Sequence, residues 1–597
     1  MRVTDSGAIF TLLREREMLI SEHSLDSISL DCRTITRNGR RQSPKSQTLQ
    51  VISNDIPAFN KFMLLSYQFR QRELSRQAKM ALKNGECTAE ICRIINEALA
   101  ITAISESDYA GKMLFAHEPE LLHTRALLYA KEGDVQTAIA MLKDILLCME
   151  KHPDDDNSTE EQTVAIMLSL AQLQMQNGER DQVLKVCDEG LKIAARRANG
   201  MHCPDFMQLK IFANPDAEMD LRLSLLKTYT GFVSLNRGDE ARKLLIDAQE
   251  RLSISIETYG METIVEYNKP AIAPPIQASV LADFTSYSSK LTNLGSVFKK
   301  FREISGVSSK NIYNGICKRD TFMKILSGHI MSPCAFMVEA LAQRMGMTLG
   351  KKLHTLLVPY QEMDMWQLRD EILSLAETNQ YSRIAKPLEI LKDLESKRRY
   401  PSSVLQQFIF SIEATVYGVN NYADPEYLNM LKCAISKTIP NYNYYDRIDY
   451  PLTAWEAMTI NQIAIHFRSA DDLMRAAMIY DNLLNCIDKY WLDEDLKSNM
   501  YAMVSFNYSS CLGQLGERQK ALAIINKAIE LIRPRGDLFG LLKLFYNKGF
   551  NMYKLGDKDE SLPWFVSSYY GIMIFENQDE VVRITRERIK TNFEICL

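Results

Sequence analysis

Long stretches of the chain repeat apolar positions with the period of an amphipathic helix. In 121–152, apolar residues after the pair Gly133-Asp134 fall at Val135, Ala138, Ile139, Leu142, Leu146 and Met149. That spacing of three, four and seven places one stripe on the buried face of a single helix. The segment before Gly133 predicts its partner, so 121–152 reads as helix, turn, helix. A second hairpin turns at Asn177-Gly178-Glu179-Arg180. The pattern returns at Gly516-Glu517-Arg518, followed by Ala521, Ile524, Ile525, Ala528 and Ile532, and again at Gly556-Asp557. A lone hairpin cannot bury its apolar faces, so such units must stack on one another.

A turn Gly followed by Asp or Glu, with Ala about five residues on, resembles the tetratricopeptide (TPR) repeat. The Gly permits the positive φ that ends the first helix, and the Ala lets the two helices approach. The repeats are themselves repeated. Residues 121–197 align without a gap to 459–535 at an offset of 338, matching Leu146 to Leu484, Cys148 to Cys486 and Lys151 to Lys489. Upstream, 88–102 follows 424–438 at an offset of 336. Downstream, GFVSLNRGD (231–239) follows GFNMYKLGD (549–557) at an offset of 318. The first copy then carries about 20 extra residues, within 198–219. The expectation is an all-α chain with two TPR-like helical-hairpin superhelices, at 54–265 and 353–597.

Between them, 266–290 reads as a linker, with three prolines in YNKPAIAPPIQAS. Beyond it the charge changes. Residues 294–352 hold ten Lys/Arg and three acids, a net of +7 in a chain whose total is −4. A compact basic module on an acidic protein points to a polyanion as partner. The stretch LGSVFKKFREISGVSSKNIYNGICKRDTFMKILSGHIMSPCAFMVEALAQRMGM (294–347) resembles the five-helix Cro/C1-type helix-turn-helix (HTH) family, and 291–352 is taken as that domain. Helix 1 is expected at 295–304 and helix 2 at 309–315, capped by Ser308. The recognition helix is expected at 318–326, closed by Ser327-Gly328, and a fourth helix from Ser332-Pro333. The resemblance implies double-stranded DNA as partner. It places Arg319, Asp320 and Lys324 at base-reading positions and Ser309, Lys310, Lys318 and Thr321 against phosphates. Three positions depart from the family: Ser309 where Gln is usual, Tyr313 where a small residue packs, and Ser327 where Asn is usual. Residues 1–53 read as a basic loop or as a degenerate second HTH, with Gly39 and Ser43-Pro44 echoing Gly328 and Ser332-Pro333 at an offset of 289.

HTH followed by TPR repeats resembles the RRNPP group, peptide-regulated transcription factors of Gram-positive bacteria. The resemblance implies a regulator in which short peptides bind the concave TPR face. Asn507 and Asn547 each lie nine residues before a turn Gly, and Asn461 lies ten before Asp471. An amide both donates and accepts, so this ladder suits a peptide backbone. The first block has His123, Ser169 and Tyr229 at the matching positions. The chain is then a monomeric pseudo-dimer made of two fused units, or a homodimer as is common among those relatives. The competing reading is a TPR interaction scaffold whose HTH no longer binds DNA.

Composition narrows the remaining classes. At about 150 residues per domain, 597 residues give roughly four domains. Gly (25) and Pro (18) are too scarce for a collagen-like, disordered or turn-dense all-β chain. There is no long apolar leader and no run of about 18 apolar residues, so a cytoplasmic protein with no membrane partner is expected. The twelve cysteines form no CxxC pair, as suits reduced thiols. No cofactor, metal or enzymatic activity is expected: Gly346 to Lys352 only brushes the P-loop pattern, and the acidic loop 152–161 lacks EF-hand spacing.

Overall fold

A computed structural model describes residues 71–597 except 102–103, 108, 111–113, 115–116, 152–156, 196–199, 216–219, 266–293, 328, 330–333, 348–362, 378–379, 399 and 576–578. The N-terminal segment 1–53, the linker 266–290, Gly328 and Ser332-Pro333 therefore lie outside the described residues. The described residues are all-helical, with no strand among them. The first block comprises a helical stretch at 71–84, then α1 (Thr88–Ala100), α2 (Glu118–Lys131), α3 (Val135–Lys151), α4 (Asn157–Gln176), α5 (Arg180–Ala195), α6 (Cys203–Ala213), α7 (Leu221–Ser234) and α8 (Gly238–Leu252). The segment expected to be the HTH follows as α9 (Leu294–Ser305), α10 (Ser309–Tyr313), α11 (Arg319–Leu326) and α12 (Ala335–Arg344). The second block contains α13 (Met363–Glu377), α14 (Ala385–Ser396), α15 (Ser403–Gly418), α16 (Pro425–Ser436), α17 (Ala454–Ser469), α18 (Leu473–Tyr490), α19 (Glu494–Leu515), α20 (Arg518–Ile532), α21 (Leu538–Leu555), α22 (Lys558–Ile572) and α23 (Asp579–Phe593).

Helix bounds repeat along with the sequence. Shifting α17–α20 back by 338 lands on α2–α5 to within two residues at every end. The turns repeat too, even where the residue changes. Gly133 has φ +94°, and Asp471, 338 positions on, keeps the left-handed conformation at φ +63°. The downstream match needs a correction. The offset of 318 pairs Gly238 with Gly556, but Gly238 opens α8 and is not the turn residue. The left-handed residue is Asn236 (φ +61°), and its neighbour Arg237 donates its N–H to the Phe232 carbonyl as Asp557 does to Met552. The structural offset is therefore 320, and the position matching Asn547 is Lys227, not Tyr229. The repeated Gly misled the alignment because Asn tolerates the left-handed region too.

The extra residues of the first copy include α6, for which the second copy has no equivalent. Here Phe206 fills the space above Gly190, where a Cβ would lie 2.5 Å from its ring. The two blocks meet at their C-terminal ends. Tyr229, Phe232 and Val233 of α7 share one core with Phe565, Val566 and Tyr569 of α22. Among the described residues, α9–α12 likewise share a core with the second block. Phe298, Ile312, Phe322, Ile325 and Leu341 pack in one cluster with Met365, Ile372, Leu391 and Leu405 of the second block.

Within this four-helix unit, α10 ends at Tyr313, two residues earlier than expected, and the helix expected at 318–326 begins at Arg319 with Lys318 as its cap. Ser308 caps α10 by accepting from the Asn311 N–H at 3.3 Å. Helix α12 begins at Ala335.

Candidate nucleic-acid interface and the polar ladder

The amphipathic pattern of α11 fixes which residues it shows. Phe322, Ile325 and Leu326 are buried, while Lys318, Arg319, Asp320, Met323 and Lys324 are exposed and Thr321 is half-buried. None of Lys318, Arg319, Asp320 or Lys324 forms an ion pair among the described residues, so their charges face solvent. Lys310 at the start of α10 and Lys299 on α9 are exposed as well. Ser309 is half-buried, and its hydroxyl accepts from Arg302 at 3.4 Å. Tyr313 stands where the family has a small residue, and its ring lies against Phe322 with centroids 5.9 Å apart, so the contact between α10 and α11 is aromatic. Gly295 lets α9 reach the end of α11: a Cβ there would lie 2.6 Å from the carbonyl oxygens of Ile325 and Leu326.

The back of this unit is fastened to the second block. Arg344, the last residue of α12, donates from Nε and Nη2 to both Glu456 carboxylate oxygens, at 3.0 and 2.6 Å. Its Nη1 donates to the Asn311 carbonyl of α10 at 2.9 Å. Glu456 also closes a capping box with Thr453 at the start of α17. Ser403, at the start of α15, donates to the Gly315 carbonyl at 2.8 Å, and Gly315 lies so close to Thr438 that a Cβ would stand 1.8 Å from its carbonyl oxygen. Ala454 donates its N–H to Gln343 at 2.9 Å, and the Gly346 carbonyl accepts from Leu492 and Asp493 at 3.0 and 2.8 Å. Arg344 thus counts toward the +7 of the sequence but not toward the charged face. Nothing in the sequence pattern singles out this lock, because its halves are 112 residues apart.

Asn461, Asn507 and Asn547 are brought together, one each on α17, α19 and α21, and all three are buried. Asn507 Nδ2 donates to Asn461 Oδ1 at 3.2 Å. Asn547 Nδ2 donates to the Phe506 carbonyl at 2.9 Å and to the hydroxyls of Ser510 and Ser509 at 2.9 and 3.0 Å. The series continues toward α9–α12 through members the sequence reading missed. Gln462 donates to Thr415 at 2.6 Å, and Ser411 and Thr459 share a bond of 2.9 Å. The missed signal was a recurrent polar residue at spacings of 46 to 48 along otherwise apolar helices. The first block keeps the same rung with other chemistry: His123 Nε2 and Ser169 Oγ are 2.9 Å apart. Burial is the main cause that depresses the His123 pKa to about 4, assisted by the Lys79 charge.

A cavity of about 480 Å³ lies where the two blocks meet, lined by Leu168, Met201, His202, Asp205, Arg237 and Arg533 among others. Its charges answer one another. Arg237 donates to both oxygens of Asp205 at 2.8 Å and to Glu240 at 3.0 Å. Burial opposes ionisation of Asp205, but Arg237 and His202 outweigh it and lower its pKa. Arg533 donates to the Ile264 carbonyl at 3.4 Å. These contacts make the cavity a joint between blocks. Among the described residues there is no cluster of three or more metal-capable side chains, and no helix is long and apolar enough to cross a membrane.

No protein-family model matches the chain, and no curated protein matches it. Among solved structures, it is similar to Bacillus thuringiensis PlcR in complex with the peptide PapR7 and DNA, at 19% identity and a TM-score of 0.32, over 48% of this chain and 95% of that one. It is also similar to the APC/C hetero-tetramer Cut9–Hcn1, at 11% identity and a TM-score of 0.29, over 89% of this chain and 98% of that one.

Proposed function

We propose that this chain is a DNA-binding transcriptional regulator whose TPR repeats sense a peptide or protein segment. The observation that carries the reading is the outward face of α11. Lys318, Arg319, Asp320 and Lys324 are exposed there without ion pairs among the described residues, while the back of the unit is fixed by Arg344 and Glu456. A major-groove reader needs this combination of exposed polar and basic side chains on a helix held rigidly from behind. Lys310, Lys318, Ser309 and Thr321 supply the phosphate-side positions, and Arg319 suits the O6/N7 edge of guanine.

Sensing is supported by the layout of α15 and α17. Each carries a fastening to the HTH near its first turn, Ser403 and Glu456, and each carries rungs of the polar ladder further along, Ser411 with Thr415 and Thr459 with Gln462. A segment bound along the second block would exchange the interhelix bonds of Asn461, Asn507 and Asn547 for bonds to its own backbone. Any resulting shift of α15 or α17 would reach α10 and α12 directly.

Retention of the full-length chain on DNA at about 50 mM salt, where phosphate contacts are strong, tests the reading. Binding at the promoter of its own gene, lost in Arg319→Ala/Lys324→Ala, is expected. No retention at that salt would instead leave an interaction scaffold. Peptide affinity unchanged by Asn507→Ala plus Asn547→Ala would remove the ladder from the sensing site.

A further inference from the structure

The exposed face of α11 contains one side chain that solvation does not explain. Met323 is 46% exposed, among the most exposed large apolar residues of the molecule. At about 100° per residue, Arg319, Asp320, Met323, Lys324 and Ser327 share one arc of the helix, and the buried Phe322, Ile325 and Leu326 share the other. Met323 lies near the middle of the outward arc, flanked by Arg319 on one side and by Asp320 and Lys324 on the other. A thioether at the centre of a polar recognition surface has no ion or hydrogen bond of strength to offer. It can offer an apolar, adaptable contact. In the major groove the one apolar group on any base edge is the C5-methyl of thymine.

We infer that Met323 is a specificity residue that reads a thymine methyl. The inference rests on the DNA-binding reading above and deepens it. Arg319, one helical turn earlier on the same face, reads an adjacent guanine through O6 and N7. Asp320, whose carboxylate only accepts, takes the N4 amino group of a cytosine. The sequence bound by one α11 therefore contains a guanine, a cytosine and a thymine within about one helical turn of the reading helix, and the thymine is read by its methyl group.

The test uses the full-length chain and a site enriched from random duplex DNA. Each thymine of that site is replaced in turn by deoxyuridine, which has the same pairing edge and lacks the methyl. One replacement is expected to weaken the wild type about fourfold, the factor that burial of one methyl-sized group corresponds to. Met323→Ala should bind the thymine and deoxyuridine sites equally, and Met323→Leu should keep the discrimination. The sensitive thymine should lie next to the guanine at which Arg319→Ala loses its preference. Equal responses of the wild type and Met323→Ala at every thymine, with the enriched site still bound, would overturn this inference and leave DNA binding intact. No enrichment of any duplex by the wild type would overturn both.

Discussion

Arg344 and Glu456 form a two-point ion pair that is almost wholly removed from solvent, with side chains 3% and 0% exposed. It joins the end of α12 to the first turn of α17. Replacing one partner leaves the other as an uncompensated buried charge, at a cost of about 3–5 kcal/mol. Arg344→Met is therefore expected to lower the urea midpoint strongly. Adding Glu456→Gln in the same chain should recover part of the loss, because the stranded carboxylate is then gone. Equal stability of the single and double variants would show that the pair does not carry this coupling.

Gly295 should resist any side chain. The carbonyl oxygens it faces belong to the backbone at the end of α11 and cannot rotate away. Gly295→Ala is expected to cost about 1–3 kcal/mol, the range for overpacking a tight contact. On the reading of α11 as a DNA reader, it should also reduce DNA affinity without changing its salt slope, since no phosphate contact is removed. Parallel denaturation and binding titrations separate the two effects.

Salt dependence should sort the charged residues by role. If Lys310 and Lys318 each contact a phosphate, their joint replacement by Ala should lower the log–log salt slope by about 2 and weaken all sequences alike. Arg319→Ala should chiefly relax preference at one guanine. An unchanged slope in the double lysine variant would remove those two residues from the backbone contacts.

Acid should weaken the first block through His123. Its folded pKa is held at about 4 by burial, below an ordinary histidine near 6.5. Between those values the unfolded chain binds the extra proton, so this part of the stability is complete above about pH 6.5 and is lost as pH falls toward 4. His123→Asn, which copies the second block's Asn461, is expected to flatten the dependence of Tm on pH in that window. His466, lowered in the same direction by its own burial, leaves a remainder in the variant. A wild-type Tm that is flat from pH 7 to pH 4.5 would contradict the assignment.

Asp471 keeps a left-handed turn where the first block has Gly133. Because an L side chain is strained there and Gly is not, Asp471→Gly should raise stability by about 0.5 kcal/mol. The neighbouring cap is kept, since Asp472 supplies the carboxylate that accepts from the Arg475 N–H. Thermal melts read the difference.

Local periodicity and turn chemistry were enough to read the hairpins from the chain, because Val135 to Met149 must face one way and Gly133 and Gly516 must end helices. The short helices beside Ser308 and Lys318 are expected from the resemblance of 294–347 to the Cro/C1 pattern, which periodicity over so few residues could not supply. What stayed hidden depends on residues far apart in sequence. Arg344 reads as one more surface cation until Glu456 is placed beside it. Asn507 reads as an unpartnered amide until Asn461 Oδ1 is found 3.2 Å from its Nδ2. The register slip at Asn236 shows the converse limit, where a repeated Gly-Asp pair outweighed the backbone geometry that defines the turn.

The core that Phe232 and Phe565 share bears on how the molecule can be taken apart. A cut in the proline-rich linker would look natural from the sequence, yet each half would carry away a raw aromatic surface that the other half had covered. Two pieces made that way should be sticky alone and should reassemble when mixed. The two repeated units are in this sense each other's end caps, and neither is closed at that end without the other.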